Sequence, residues 1–376
     1  MESGYDERGA GLLRSGYKPP IACPLRRQSG RHLDCRIFIS SSFWQNGDWE
    51  DRKIMAGALK RKETAKEAVP RLLKCSIKKA LDNDRCDTFD AIHNARKEVK
   101  KMRALLRLVR HDLSKKTFAS GKARLGKAAK YLAPARDAYI KARTLEALLR
   151  KAAAQSGLER FPQFQSHLRR QCHQEMRRFD REDRWSKMSR LLKKERACAS
   201  RLCVKHDGWC AIGPGLQRSY RSARRARDVA CRDPSAANLH EWRKRVKDLG
   251  YIVSLLEPIW PEQMSALFRQ LDTLSELLGD HHDLQVLRHL VSKKSVEVDF
   301  ENEGNQLLPL IDAQQRELSA AACKVGTRLL KEKPPDFCSR LRGCWKRWKR
   351  KKRPQIGYSK SSGEKRIAKP EPVSAT

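Results

Sequence analysis

Two segments of the chain carry a histidine and three cations in the same order, His-x-x-Arg-Lys-x-Val-Lys, 147 residues apart. The repeated residues are His93, Arg96, Lys97 and Lys100, and then His240, Arg243, Lys244 and Lys247. Successive residues of an α-helix are about 100° apart, so this spacing places each set on one helix face. Arginine grips two phosphate oxygens in a planar fork, lysine offers a compact charge, and even a neutral histidine can donate. The pattern therefore predicts two helices that bind a phosphate-rich anion.

The plainer interpretation of each segment is an amphipathic helix with a solvated basic face and a structural histidine. Two observations weigh against it. The same residue types recur at the same helical phase, and the two faces carry almost no acid, because Glu98 and Glu241 lie off them. A face selected only for solubility normally mixes charges of both signs. Anion binding is therefore favoured for both faces.

Apolar residues recur on the opposite side of both segments at steps of three, four and seven. They are Ile92, Val99, Met102, Leu106 and Val109 in the first segment, and Leu239, Trp242, Val246, Leu249, Val253 and Leu256 in the second. This spacing is typical of a helix with one side packed in a core. We therefore expect each motif helix to bury its apolar seam and to present its cations on the other side.

Further cations lie where they would extend the two basic faces. The helix predicted before each motif carries three of them at matching positions, and the first motif helix continues with two more. They are Arg71, Lys74 and Lys78, then Arg218, Arg221 and Arg225, and finally Arg103 and Arg107. If the two motif helices face each other, these cations line one shared groove.

No strand-like alternation appears, so the sequence predicts an all-α fold. A similar helix order before and after about residue 205 predicts a pseudo-two-fold repeat of two four-helix bundles around a basic central cavity. Pro134 and Gly279 are expected to end helices, and residues 213–215 to form a loop. Asp137 and Asp283 then fall in the first turns of the helices that follow, where capping or pairing with the helix dipole would explain them.

The predicted folded domain comprises residues 56–333, with half-repeats at about 60–205 and 206–333. Residues 1–55 are expected to form a disordered arm, and residues 334–376 a disordered basic tail. In that tail, two tryptophans alternate with cations and could stack on nucleic-acid bases or contact a membrane surface.

The net charge of the 376-residue chain is +38, from 82 Lys and Arg against 44 Asp and Glu. Self-repulsion of this size fits a polyanionic partner. No apolar run is long enough to cross a bilayer and no secretory signal pattern opens the chain, so we expect a cytoplasmic protein. Its 12 cysteines are then mostly reduced thiols.

Signals for a cofactor or a metal are weak. The sequence has no P-loop, no dinucleotide glycine fingerprint and no nucleophile elbow, so no cofactor is expected. Four residues of zinc-ligand type lie close together, but zinc sites usually begin with a tighter pair, so no metal is expected either. They are Cys198, Cys203, His206 and Cys210.

The chain resembles the CHAD family, the conserved histidine α-helical domain, over about residues 56–333. The resemblance rests on the paired motif helices. Residues 136–137 and 279–283 are similar to the family's Gly-x-x-(Arg/His)-Asp step, and they add Arg136 and His282 to the expected site. The resemblance implies a pseudo-symmetric pair of four-helix units around a basic cavity. It also implies binding of inorganic polyphosphate and recruitment to polyphosphate granules.

The first half departs from the family pattern. Arg136 stands where the second half has His282, and Ala104 stands where it has Tyr251. Residues 133–134 are Ala-Pro instead of the Gly-Asp pair at 279–280. The first half is therefore expected to form a less regular wall of the site.

Polyphosphate offers closely spaced charges and no bases, so regularly spaced cations suffice to bind it, and it carries divalent cations of its own. The alternative is a nucleic-acid-binding helical protein that uses the same faces and the basic tail. Such a site needs stacking surfaces, and Tyr251 alone supplies one on the motif faces.

A phosphotransfer enzyme with His93 or His240 as nucleophile would need an activating carboxylate that the sequence does not place. Because a bound polyanion raises histidine pKa values, the sequence predicts that binding strengthens toward pH 6.

Overall fold

The computed structural model describes residues 57–82, 88–156, 161–292 and 301–350, and all regular structure in these ranges is helical. The α-helices are α1 Ala65–Leu81, α2 Thr88–Leu108, α3 Lys115–Ser156, α4 Pro162–Arg181, α5 Arg184–Ala199, α6 Gly208–Arg232, α7 Ala236–Leu255, α8 Pro261–Ser292, α9 Glu301–Leu329 and α10 Pro334–Arg350. The prediction of an all-α fold is confirmed.

Other predictions of the chain's organisation are not settled by these helices. The pseudo-two-fold repeat and the central cavity stay predictions. The expected N-terminal arm, residues 1–55, lies outside the described residues, as do residues 351–376. Among the described helices, none is long and apolar enough to span a membrane.

The two motif helices, α2 and α7, pack against each other, with α3 beside α2 and α8 beside α7. Every residue of the two predicted apolar seams is buried, and Trp242 at the centre of the second seam is fully enclosed. The hydrophobic spacing alone therefore predicted correctly which side of each motif helix enters the core. The cations that alternate with the seams are left on the other side.

Pro134 does not end a helix, because α3 continues through it from Lys115 to Ser156. A proline inside a helix removes one hydrogen bond and costs about 3 kcal/mol. Leu132 and Ala135, on either side of the proline, are fully buried, and this packing outweighs the cost. The predicted break was wrong, and Asp137 consequently lies in the interior of α3 and not in a first turn.

Gly279 does not end a helix either, because α8 runs through it from Pro261 to Ser292. Glycine inside a helix costs only about 1 kcal/mol, and the neighbouring Leu278 is buried. The missing side chain makes room for Arg243, since a Cβ at Gly279 would lie 3.3 Å from two of its guanidinium nitrogens. His282 and Asp283 therefore occupy the interior of α8, and the prediction of a first-turn position was wrong.

Residues 213–215 lie within α6 instead of forming the predicted loop. A Cβ at Gly215 would overlap the carbonyl oxygen of Leu108 at the end of α2. Glycine is thus required here by a close crossing of two helices, and the sequence pattern alone does not distinguish that role from a turn.

Residues 334–350 form α10, so the prediction of a disordered tail beginning at residue 334 was wrong for this part of it. Phe337, Leu341 and Trp345 are buried, and the Phe337 ring stacks on Tyr220 of α6 with a centroid distance of 4.1 Å. The many cations of this segment dominate its composition and hide the apolar spacing of its inner face.

A disulfide between Cys231 and Cys323 joins the end of α6 to α9, with the two Cα atoms 5.7 Å apart. It closes a loop that contains the whole second motif helix and α8. A cross-link over 92 residues removes chain entropy from the unfolded state worth about 4–5 kcal/mol. The pair is an exception to the expectation of reduced thiols.

We expect reduction of this disulfide to lower the melting temperature of the protein by roughly 5–10 °C, since about 1 kcal/mol shifts the melting of a domain this large by a few degrees. Thermal denaturation followed by circular dichroism, with and without dithiothreitol, measures the change. A Cys231→Ser/Cys323→Ser variant should melt at the lower temperature in both conditions. Equal melting of the oxidised and reduced wild type would contradict a stabilising role for this bond.

Candidate anion-binding site

Seven of the predicted side chains come together where α2, α3, α7 and α8 meet, and we call them the central cluster. They are His93, Arg96, Lys100, Arg136, Arg243, Lys247 and His282. Arg136 is close enough to the other six for its charge to lower the pKa of each of them. The two motifs therefore contribute to one site, together with Arg136 from α3 and His282 from α8.

Both lysines of the central cluster have lowered pKa values. Burial lowers the pKa of Lys100 well below its ordinary value, and the charges of Lys247 and Arg243 lower it further. Burial and Arg243 likewise lower the pKa of Lys247, from 10.5 to about 8. Both side chains keep some solvent access, so a ligand can reach them. Holding these like charges together thus raises the free energy of the folded protein.

The histidines of the site are neutral at pH 7. Desolvation first, and neighbouring cations second, lower the pKa of His93 to about 4. Desolvation together with His240 and Arg243 lowers the pKa of His282 to about 3. The His240 and His282 rings lie 4.1 Å apart, centroid to centroid. Neutral imidazoles can donate to phosphate oxygens, but at pH 6 they add no charge to the unliganded protein.

Helix packing fixes the arginines of the central cluster. Arg96 donates from Nη1 to the carbonyl oxygen of Ala129 on α3, at 3.2 Å. Arg243 lies against Gly279, and its buried Nε has no hydrogen-bond partner among the described residues. The buried Nδ1 of His240 also lacks one. Unsatisfied buried polar atoms cost about 1–3 kcal/mol each, so a site containing two of them favours a ligand that supplies partners.

Carboxylates of α8 lie close to the cations, and sequence reasoning missed this role for them. Asp283 is near Arg243 and Arg136, and burial raises its pKa. Burial, helped by Asp283 and Glu276, raises the pKa of Asp280 to about 6. The spacing of acids along α8 was visible in the sequence, but the predicted break at Gly279 separated them. These acids offset part of the positive charge in the unliganded protein.

Other cations of the motif helices lie beside the central cluster and have acidic partners. Arg107 donates from Nη1 to Asp248 of α7 at 2.7 Å, and the charge of Arg103 also acts on Asp248. Lys244 is exposed and pairs with Glu241 at 3.2 Å. Burial lowers the pKa of Lys97, and the nearby charges of Lys101 and Glu98 also act on it. A ligand would have to compete with carboxylates for several of these groups.

The cations predicted on α1 and α6 lie on helices other than the four that form the central cluster. The Arg71 guanidinium is held by Glu63, at 2.5 and 2.6 Å, and by the carbonyl oxygen of Ala58. Lys78 is exposed on α1, with Lys74 half-buried beside it. Three exposed arginines form the matching row on α6. They are Arg218, Arg221 and Arg225. Their part in binding stays a prediction.

Histidines, cysteines and carboxylates are the side chains that could ligate a metal. In residues 57–82, 88–156, 161–292 and 301–350, no group of three or more could hold a metal ion. His206, the histidine of the weak zinc pattern, instead bonds through Nδ1 to the fully buried Asp112 at 2.6 Å. Its backbone N–H also donates to Asp112, at 3.0 Å. This pair joins the end of α2 to the segment before α6.

Comparison with known proteins places this geometry in a family. The family model of the CHAD domain matches residues 71–292, which include both motif helices, Arg136 and His282. PptA from Streptomyces chartreusis is similar in fold, with a TM-score of 0.54 and 16% identity, over 72% of this chain and 100% of that one. The crystal structure of the CHAD domain from the plant Ricinus communis aligns over 77% of this chain and 94% of that one, at 16% identity and a TM-score of 0.44. No curated protein sequence gives a match. Because the family model covers more than half of the sequence, the chain belongs to the CHAD domain family.

Proposed function

We propose that this protein binds inorganic polyphosphate at the central cluster without transforming it, and that binding recruits the protein to polyphosphate granules. One observation carries the proposal. Five cations from three helices are held so close together that the charges of some lower the pKa values of Arg96, Lys100, Arg243 and Lys247. Such repulsion is relieved when a polyanion occupies the space between them. The CHAD family is known for association with polyphosphate, which agrees with this chemistry.

The choice of polyphosphate over nucleic acid follows from what the site lacks. Single-stranded nucleic acid is held by bases stacked on aromatic rings. Tyr251 lies close to Arg243 of the cluster, and it is only partly exposed, so it offers little ring surface for stacking. Trp345 and Trp348, which the sequence offered as stacking surfaces, pack with each other and with Lys349. Cations without free rings favour an anion that has no bases.

A binding role without catalysis is supported by the arrangement of the polar groups. The CHAD family is in general a family of non-catalytic binding domains. Burial first, and neighbouring cations second, lower the pKa values of His93 and His282, whereas a nucleophilic histidine is normally activated by a carboxylate. Incubation of the protein with polyphosphate, followed by a phosphate-release assay, should give no signal above the rate without protein.

The direct test is equilibrium binding of the full chain to long-chain polyphosphate in a salt series, with single- and double-stranded DNA as competitors. At physiological salt, the protein should bind polyphosphate more tightly than either form of DNA. The logarithm of its binding constant should fall linearly with the logarithm of salt concentration, with a slope of about −0.7 for each phosphate contact, as for single strands of nucleic acid. Equal competition by DNA would contradict the proposal.

Recruitment to granules has its own test. A fluorescent fusion should be concentrated on granules in cells that contain polyphosphate and become diffuse when an exopolyphosphatase is expressed. If the fusion has the same distribution after polyphosphate is removed, recruitment to granules is contradicted, although binding is not.

We expect polyphosphate affinity to fall above pH 8. Lys247 has a pKa of about 8 in the unliganded protein, so above that pH it must regain a proton before it can bind an anion. Each such proton weakens binding by about tenfold per pH unit. The histidines add no charge near pH 6, since their pKa values are about 4 and 3. Titration calorimetry at several pH values measures the profile.

A Lys247→Arg variant is the control for this profile, because arginine stays charged throughout the range. The fall in affinity above pH 8 should become shallower in this variant. If the two proteins lose affinity equally between pH 8 and 9, Lys247 is not the titrating group. A gain toward pH 6 would instead support the expectation drawn from the histidines in the sequence.

A further inference from the structure

The outer face of α10 carries a row of three cations, Arg342, Lys346 and Arg350, spaced four residues apart. All three are exposed. Four residues of helix rise about 6 Å, so the row extends over roughly 12 Å. No ion pair within the described residues involves any of the three, and the single acid of the helix, Asp336, lies at its opposite end. We call these residues the α10 row.

The α10 row is fixed in place because the other face of the helix is part of the core. Phe337, Leu341 and Trp345 are buried. Near the end of the helix, Lys349 donates from Nζ to the carbonyl oxygens of Arg61 and Glu63, at 2.7 and 3.0 Å. Like charges four residues apart destabilise a helix by several tenths of a kcal/mol per pair. The packing of the inner face holds the row together against that repulsion.

The structure also restricts which polyanion fits this surface. The two indoles of α10 are engaged: Lys349 Nζ lies 5.1 Å from the Trp345 ring centroid and 5.5 Å from that of Trp348. The rings also contact each other, at 5.3 Å between centroids. Trp345 is buried and Trp348 is only partly exposed, so the row has little ring surface to offer a base. A row of cations with so little stacking surface fits a chain of phosphates that has no bases.

We propose that the α10 row is a second contact for inorganic polyphosphate, which a long chain occupies at the same time as the central cluster. This inference rests on the proposed function. The α10 row lies outside residues 71–292, the part of the chain that the family model matches, so it is an addition to the CHAD domain. Two linked contacts on one ligand increase affinity through effective concentration. Long chains gain from the second contact, and a chain too short to reach both sites does not.

The test compares long-chain polyphosphate with tripolyphosphate, using the full chain with Arg342→Glu, Lys346→Glu and Arg350→Glu combined. Long-chain affinity should fall by about tenfold or more, and the salt slope should decrease by about 2. Tripolyphosphate affinity should be unchanged. A second variant with glutamine at the three positions removes the charges without reversing them, and thermal denaturation verifies that both variants fold.

The matched control changes three exposed arginines of α4 to glutamate, Arg170, Arg177 and Arg181. It alters the net charge equally at another surface. The proposal is overturned if the control weakens long-chain binding as much as the α10 variant, because general electrostatics then explains both. It is also overturned if the α10 variant binds long chains like the wild type, or if it loses affinity for single-stranded DNA alone.

These outcomes are distinct from failure of the proposed function. If the wild type binds neither phosphate ligand, or if loss of Lys100 and Lys247 leaves both affinities unchanged, the central cluster is not the site. If binding depends on the central cluster and the α10 row has no effect, only the second contact is wrong.

Discussion

Replacing Lys100 and Lys247 together with glutamine should weaken polyphosphate binding by at least about 100-fold, because each lysine offers a charge-assisted contact worth roughly 1.5–3 kcal/mol. The same change should leave the thermal stability of the protein unaltered or raise it. Burial and neighbouring cations lower the pKa of both lysines in the folded protein. A protein that loses its ligand and gains stability would show that these charges are kept for binding and not for folding.

The sign of the stability effect follows from the pKa of Lys247. Its value is about 8 in the folded protein against 10.5 for an unperturbed lysine. Below pH 8 the group is protonated in both the folded and the unfolded chain, so the folded chain bears the full cost of holding the charge. That cost, on the order of 1–3 kcal/mol, disappears as the pH rises through 10.5. Neutralisation by glutamine should therefore stabilise the protein most clearly at pH 7.

The matched control lies on the same two helices. Lys101 pairs with Glu98 at 2.6 Å, and Arg245 pairs with Glu241 at 2.5 Å. Changing Lys101 and Arg245 to glutamine removes the same net charge beside the central cluster but breaks two ion pairs. This control should keep polyphosphate affinity within a few-fold and should not gain stability. An equal loss of affinity in both double variants would show that Lys100 and Lys247 contribute no more to binding than Lys101 and Arg245. Binding isotherms and denaturation curves provide the comparison.

The sequence predicted the parts of the site that repeat. A motif that appears twice at one helical phase, opposite an apolar seam, is strong evidence for two packed helices, and both seams are buried as expected. The meeting of Lys100 with Lys247 follows from the packing of α2 on α7. Arg136 and His282 came from the family resemblance, and they too belong to the central cluster.

Predictions from the sequence were wrong where tertiary packing, and not the usual local preference of a residue, decides its role. Pro134 and Gly279 are ordinary signals for helix ends, yet buried neighbours carry α3 and α8 through them. Because of that error, Asp283 was assigned to a helix start and not to the site. The pairing of Arg71 with Glu63 could not be predicted either, since it depends on a loop that no helical pattern describes. Local pattern cannot reveal these roles because each depends on a partner from another element.

Ending the chain at Lys333 should abolish stable folding, although the family model stops at residue 292. The truncation removes α10 and exposes the surfaces that its inner face covers. Phe337, Leu341 and Trp345 are at most 9% exposed, and loss of each such side chain costs about 2–5 kcal/mol. Their sum reaches the whole stability of a typical domain, about 5–15 kcal/mol. Tyr220 would also lose the ring that stacks on it.

Urea denaturation of three proteins tests this expectation: the full chain, a chain ending at Arg350 and a chain ending at Lys333. If α10 completes the core, the chain ending at Lys333 should lack a cooperative transition that the chain ending at Arg350 retains. Two single variants give the effect on a smaller scale. Phe337→Ala should lose about 3–5 kcal/mol, whereas Ser339→Ala, at an exposed position of the same helix, should change stability by less than about 0.5 kcal/mol. Equal unfolding of both truncated chains would mean that the conserved domain is a folding unit by itself. If they differ, polyphosphate binding has to be measured on chains that retain α10, because a fragment without it would lose the central cluster by unfolding.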